Sequence, residues 1–150
     1  MFEQIHANQP KIAVVTSRFN QEITQKLYEG AMARFQEKGV TIAAGDIFFV
    51  PGAIEIPVLV SRLAREKKYD AIVCLGAVVR GETDHYDYVC WQVSYGCQKV
   101  AIEHCIPVIF GILTTDNEEQ AFDRCGGANG HKGVDCADAA LEMVALLRAI

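Results

Sequence analysis

"AIVCLGAVVRGETDHYDYV", Ala71 to Val89, starts with nine residues that carry no charge. It then breaks into an arginine, a glycine, three acids, a threonine and a histidine, and turns apolar again at Val89. An apolar run that does not alternate with polar residues fits a strand buried on both faces, the pattern of a parallel sheet covered by helices. The segment after the cluster, Tyr86–His104, carries Val89, Val93, Cys97 and Val100 in one stripe, which predicts an amphipathic helix. The stretch therefore reads strand, polar loop, helix.

The same unit recurs to either side. Ile12–Thr16, Asp46–Val50 and Pro107–Leu113 are further short apolar runs. Between them, Gln21–Lys38 repeats Ile23, Leu27, Ala31 and Phe35 in steps of four, with Gly39 placed to end a helix in the left-handed conformation. Ala53–Glu66 is a second helix, with Pro57 tolerated in its first turn. Asn117–Arg124 is a short one, capped by Thr115 or Asp116. Gly126, Gly127 and Gly130 bend the chain before a last helix, Val134–Ile150. The order β-α-β-α-β-α-β-α-α predicts a three-layer α/β/α, flavodoxin-like fold with a central four-stranded parallel sheet. A length of 150 residues suits a single domain, 1–150, in which residues 1–9 form a loose tail or an arm that docks on a neighbour.

Composition excludes several classes. A formal net charge of −5 argues against binding nucleic acid through its phosphate backbone, which needs a basic face. The N-terminus lacks the pattern of a signal peptide. The most apolar stretch, Ile47–Val60, is interrupted by Pro51, Gly52, Glu55 and Pro57 and is too short to span a bilayer, so a soluble, cytoplasmic protein with no membrane partner is expected. The six cysteines form no CxxC pair, and no clustered His/Cys set points to a metal. The cysteines are expected to be reduced, mostly buried thiols. Neither GxGxxG nor GxxxxGK[ST] occurs.

In open parallel sheets, ligands bind outside the carboxyl ends of the strands. The unusual polar residues lie at those ends: Ser17–Asn20, Pro51–Glu55, Arg80–His85 and Thr114–Asn117. Phe19 either covers the sheet edge or offers a flat platform to a planar ring. Asn20 either reads ring edges or caps the next helix. Glu55, in the apolar context GAIEIP, needs donors: its own helix N-terminus, or the hydroxyls of a sugar-like ligand. A glycine turn followed by a helix start favours an anion, so Gly81, Thr83 and the amides around them form a candidate phosphate site, with the side chains of Glu82 and Asp84 either turned away or on a neighbouring surface. His85 is either a proton-transfer group or a polar surface residue. Arg124 and Lys132, in the glycine-rich RCGGANGHKG, are either phosphate ligands or surface charges.

Taken together, SRFN (Ser17–Asn20), PGAIEIP (Pro51–Pro57), LGAVVRGETDHYDYV (Leu75–Val89), PVIFGILTTDNEEQAFDR (Pro107–Arg124) and NGHKG with the later EM (Asn129–Met143) resemble the 6,7-dimethyl-8-ribityllumazine synthase family over almost the whole chain. The resemblance implies an enzyme that joins 5-amino-6-ribitylaminouracil to 3,4-dihydroxy-2-butanone 4-phosphate with loss of phosphate and water. It implies no cofactor and no metal. Phe19 would stack on the pyrimidine and Asn20 would fix the ribityl side. Backbone groups of Ala53, Ile54, Val78 and Val79 would read the uracil edges, and Glu55 the ribityl hydroxyls. Gly81, Glu82 (through its backbone) and Thr83 would hold phosphate. His85 would transfer protons and Arg124 would clamp the phosphate. Phe110 and Lys132 would complete the site, with residues after the fourth strand supplied by an adjacent subunit.

The resemblance also implies a pentamer, in some members twelve pentamers closed into an icosahedral shell, with riboflavin synthase as a further partner. Two departures stand out: Ile54 replaces an aromatic found in many members, and Glu82 and Asp84 replace smaller or neutral residues beside the histidine. The rival readings are a paralogous riboflavin synthase of archaeal type and a non-catalytic flavin- or lumazine-binding shell protein.

Overall fold

Ile12 and Val14 face one way, Ala13 and Val15 the other, and all four are buried. They belong to β1 (Ile12–Ser17) in a computed structural model that describes residues 9–150. β1 pairs in parallel with β2 (Ile47–Val50) on one side and β3 (Ala71–Val79) on the other. β4 (Val108–Thr115) adds to the far side of β3, giving the order β2-β1-β3-β4. In β3, Ala71, Val73 and Leu75 join the layer of Ile12 and Val14, while Ile72 and Cys74 join that of Ala13 and Val15. This period of two, apolar on both sides, explains the unbroken apolar runs.

Helices α1 (Gln21–Glu37) and α5 (Lys132–Arg148) cover one face, through Leu27, Phe35, Ala137 and Val144. Helices α2 (Ile56–Arg65) and α3 (His85–His104) cover the other, through Ile56, Val60, Val93 and Cys97. Each large side chain sealed in this way contributes about 1.5–3 kcal/mol, so the two-sided burial of β1 and β3 is the main source of cohesion. The expected three-layer α/β/α arrangement with four parallel strands is the observed one.

Boundaries differ in instructive places. Asp46 does not start β2; it ends a 3₁₀ turn, Ala44–Asp46, where its buried carboxylate accepts from the Tyr69 hydroxyl at 2.8 Å and meets Lys11 at 3.3 Å. β4 runs two residues past Leu113, to Thr115. The short helix α4 (Glu118–Asp123) is therefore capped by Asn117, not by Thr115 or Asp116: the Gln120 N–H donates to Asn117 Oδ1 at 2.8 Å. The glycine-rich bend is a small antiparallel ribbon of β5 (Cys125–Gly127) and β6 (Gly130–His131). Helix α5 starts at Lys132, two residues before the expected Val134. The expected arm, residues 1–9, lies outside the described residues except for Gln9, whose amide bonds the Gly39 carbonyl at 2.7 Å.

All six cysteines are free; Cys74, Cys97, Cys125 and Cys136 are buried, while Cys105 is exposed. Burial pushes the Cys136 thiol up to about 11, so it stays protonated at neutral pH. Among the described residues no helix is long and apolar enough to cross a membrane.

Gly39 ends α1 as its position in the sequence predicts. Its φ is +74°, its N–H donates to the Gln36 carbonyl at 3.0 Å, and the Val40 N–H reaches back to Phe35 at 2.9 Å. This pair of bonds is a Schellman turn, and Val40 packs with Phe35 in the same layer. Nothing lies within 4 Å of a Cβ at Gly39 or at Gly45, so only the backbone distinguishes them. Gly39→Ala is expected to destabilise by about 1 kcal/mol and Gly45→Ala to be close to neutral. Urea-denaturation midpoints at one protein concentration check this, and equal shifts would refute it.

Candidate active site

The last partners along β1 and β3 are Thr16 and Leu75. Beyond them the strands separate. β1 stays with β2 through Ser17 and Val50, and the Arg18 and Phe19 N–H groups continue the ladder to the Val50 and Pro51 carbonyls at 2.8 and 3.0 Å. β3 stays with β4 up to Val79 and Thr115, and the Arg80 N–H bonds Thr115 at 2.9 Å. The chain leaving β1 enters α1 on one face, and the chain leaving β3 enters α3 on the other. A crevice must open between them, as it does wherever successive crossovers of a parallel sheet take opposite directions.

Asn20 bridges this crevice. It adopts φ 62°, a left-handed conformation that asparagine tolerates better than most residues, and its Nδ2 donates to the Ala77 carbonyl at 2.9 Å. Asn20 holds the N-cap position of α1, but its side chain makes no cap hydrogen bond.

A cleft of about 450 Å³ fills the crevice. Ten of the residues singled out from sequence line it: Phe19, Asn20, Ala53, Ile54, Glu55, Val78, Val79, Gly81, Thr83 and His85. Phe19 is 71 % exposed, so its ring does not seal the sheet edge. Glu55 sits at the junction of the 3₁₀ turn Ala53–Glu55 with α2. Its carboxylate makes no cap hydrogen bond, and its Oε2 is buried with no partner among the described residues. An acceptor of this kind calls for donors from a ligand. Thr83 Oγ accepts from the His85 N–H at 3.3 Å, which leaves the hydroxyl proton free to donate into the cleft. Glu82 and Asp84 are exposed and contribute no wall to the cavity.

The cations lie elsewhere. Arg124 and Lys132 line a second, polar cavity of about 660 Å³ with Thr114, Thr115, Gln120 and Asn129. This cavity lies beyond β4, and within one chain it shares no lining residue with the cleft that holds His85. Phe110, half-buried within β4 and paired with Cys74, packs against the layer of α2 and α3 and lines neither cavity.

Two residues received no role from sequence. Tyr86 lines the cleft, and the Arg80 guanidinium lies 4.2 Å from the centre of its ring. Arg80 also meets Asp116 at 3.1 Å and Asp87 at 3.6 Å, and the Asp116 carboxylate holds its guanidinium above the ordinary range. Arg80 thus ties the loop after β3 to the loop after β4. The available signal was one basic residue opening an acidic loop.

A crevice at this switch point is the one that holds a flat, phosphate-bearing flavin in flavodoxin, and this chain has the same α/β/α architecture with the exposed Phe19 ring and the Gly81–His85 turn at that point. Its sequence matches the family profile of 6,7-dimethyl-8-ribityllumazine synthase over residues 9–148. It is 56% identical over 140 residues to proteins named 6,7-dimethyl-8-ribityllumazine synthase from Coxiella burnetii strains CbuG_Q212 and RSA 493 / Nine Mile phase I, with 93% of each chain covered. The chain belongs to the 6,7-dimethyl-8-ribityllumazine synthase family, transferases of riboflavin biosynthesis.

Because no hydrogen bond among the described residues depends on the Glu55 carboxylate, Glu55→Gln is expected to leave the thermal midpoint unchanged or raised. The same substitution is expected to weaken a polyhydroxylated ligand by about tenfold, the scale of a charge-assisted hydrogen bond. Calorimetric titration with a ribityl-bearing pyrimidine, set beside thermal unfolding, checks both. A loss of stability with binding intact would show that the acid is structural.

Proposed function

We propose that this chain condenses 5-amino-6-ribitylaminouracil with 3,4-dihydroxy-2-butanone 4-phosphate to give 6,7-dimethyl-8-ribityllumazine, releasing phosphate and water. The observation that carries this reading is the orphaned Glu55 oxygen in a cleft that also presents Phe19 and the Gly81–His85 turn. Ring, hydroxyl chain and phosphate each meet a matching surface there. Phe19 supplies an aromatic face. Val79 turns its backbone groups to the edge of β3 that β1 has left, the edge where Asn20 meets Ala77. Ala53, Ile54 and Val78 line the wall beside it. Glu55 accepts from the ribityl hydroxyls. Gly81, Thr83 and the Glu82 amide receive the phosphate, and His85, exposed at the start of α3, moves the proton.

Schiff-base formation, phosphate elimination and ring closure each demand proton transfer between groups held in register. Orientation and general acid–base help are what such a cleft supplies. The site takes neither metal nor organic cofactor.

The active unit in this reading is a homo-oligomer, a pentamer, working in the cytoplasm. Arg124 and Lys132 face the phosphate of a neighbouring subunit's cleft, and Phe110 completes that shared site. Two features support sharing. The polar cavity that holds Arg124 and Lys132 and the His85 cleft lie apart within one chain. Helix α3 also exposes Tyr88, Trp91, Tyr95 and Ile102, with the Trp91 and Tyr95 rings stacked at 5.4 Å. An exposed apolar stripe of that size marks a contact surface. Closure of pentamers into a shell, and enclosure of riboflavin synthase within it, extend the same proposal.

His85→Ala is expected to lower turnover by about 10²-fold or more, with product formation followed by absorbance in metal-free buffer; an unaltered rate between pH 6 and 8 would remove His85 from the mechanism. Arg124→Ala is expected to raise KM for the butanone phosphate while sparing that for the pyrimidine. A fully active monomer in analytical sedimentation would refute the shared site.

A further inference from the structure

Arg124 and Lys132 flank two residues that face each other. Cys125 and His131 are partners in the β5–β6 ribbon, so the residue before one and the residue after the other are brought side by side. The Lys132 N–H donates to the Arg124 carbonyl at 2.7 Å, which fixes that juxtaposition through the backbone. Both residues then line the same polar cavity, whose wall also carries Asp123 and Asp135, so a bound anion must be met by the cations in a geometry that keeps it off these carboxylates.

His131 is also the N-cap of α5, an unusual residue for that position. Its Nδ1 accepts from the Gly133 N–H at 3.1 Å and the Val134 N–H at 3.4 Å. A ring that accepts at Nδ1 carries its proton on Nε2. The ring is held in place from outside. It lies against Gly30 of α1 so closely that any side chain at Gly30 would run into it, and a Cβ at Gly126 would stand 3.4 Å from its Cδ2. One imidazole therefore ends the ribbon, starts the helix and rests on a neighbouring helix. Lys132 lies between this cap and the amides it holds.

We propose that His131 is a positioning residue: by capping α5 through Nδ1, it holds the Arg124–Lys132 pair in the geometry of an anion clamp. This rests on the reading that the pair receives the phosphate of the butanone substrate. Asparagine supplies an acceptor at a similar reach but less bulk, whereas leucine supplies bulk over Gly30 and no acceptor. The two variants therefore separate capping from packing.

The test is steady-state kinetics of the intact enzyme with each substrate varied, for wild type, H131N, H131L and R124A. In H131L, KM for the butanone phosphate is expected to rise about 5–10-fold, the scale of one lost cap, while KM for the pyrimidine stays put. In H131N it is expected to remain within about twofold of wild type, since asparagine is itself a good cap. The inference is overturned if H131N is as impaired as H131L, or if H131L matches wild type while R124A does not. If R124A leaves this KM unchanged, the phosphate reading itself fails and takes the clamp with it. Should H131L not fold, amide exchange at Gly133 and Val134 in H131N decides: protection equal to wild type is expected, and faster exchange refutes the cap.

Discussion

Between Leu75 and Val79, strand β3 has a strand partner on one side only. Its backbone groups on the vacated edge still need hydrogen bonds, because a polar group left unpaired away from water is costly. The Asn20 amide answers one of them, at Ala77, and in doing so props the crevice open at a fixed width. Helices α1 and α3 cannot close the gap, since each is committed to a different face of the sheet. The cleft is thus a consequence of topology, and the side chains around it are those of the loops that topology delivers there.

The core supports expenditures made at this end of the sheet. Three buried side-chain oxygens lack a partner among the described residues: Thr16 Oγ1, Ser17 Oγ and Glu55 Oε2. The first two close β1, and the third stands in the turn after β2. Each such group costs about 1–3 kcal/mol, and the left-handed Asn20 adds strain beside them. Their concentration at strand ends, with none elsewhere among the described residues, places these costs beside the crevice and leaves the rest of the core fully paired.

How much of this the sequence disclosed follows from the same physics. Strands buried on both faces run apolar without alternation, so Ile12–Val15 and Ala71–Val79 announce themselves. The β5–β6 ribbon did not. Its strands of three and two residues are rich in glycine and carry almost no side-chain pattern. The cap of α4 was ambiguous because Thr115, Asp116 and Asn117 are all able caps, and only the extra length of β4 selects the last. The start of α5 was missed because histidine is not a usual cap. Phe19, Glu55, Thr83 and His85 were legible as a group, since all follow strands whose ends converge. That Arg124 and Lys132 belong to a different cavity was not legible in their spacing, which does not show that β4 stands between; only the family resemblance, with residues after the fourth strand supplied by an adjacent subunit, pointed that way. Arg80 and Tyr86 stayed without roles because their contacts reach across to Asp116 and the cleft wall.

The exposure of the cleft's outer wall bears on how such a protein changes over generations. Phe19, Ile54, Thr83 and His85 are exposed, whereas β1 is buried along its whole length and β3 from Ala71 to Ala77. Replacing a loop-tip side chain therefore removes little buried contact, while replacing almost any strand residue removes much. Heritable variation in ligand preference can accumulate at the tips at small cost to folding. The scaffold beneath tolerates far less change, so recognition and architecture can vary separately.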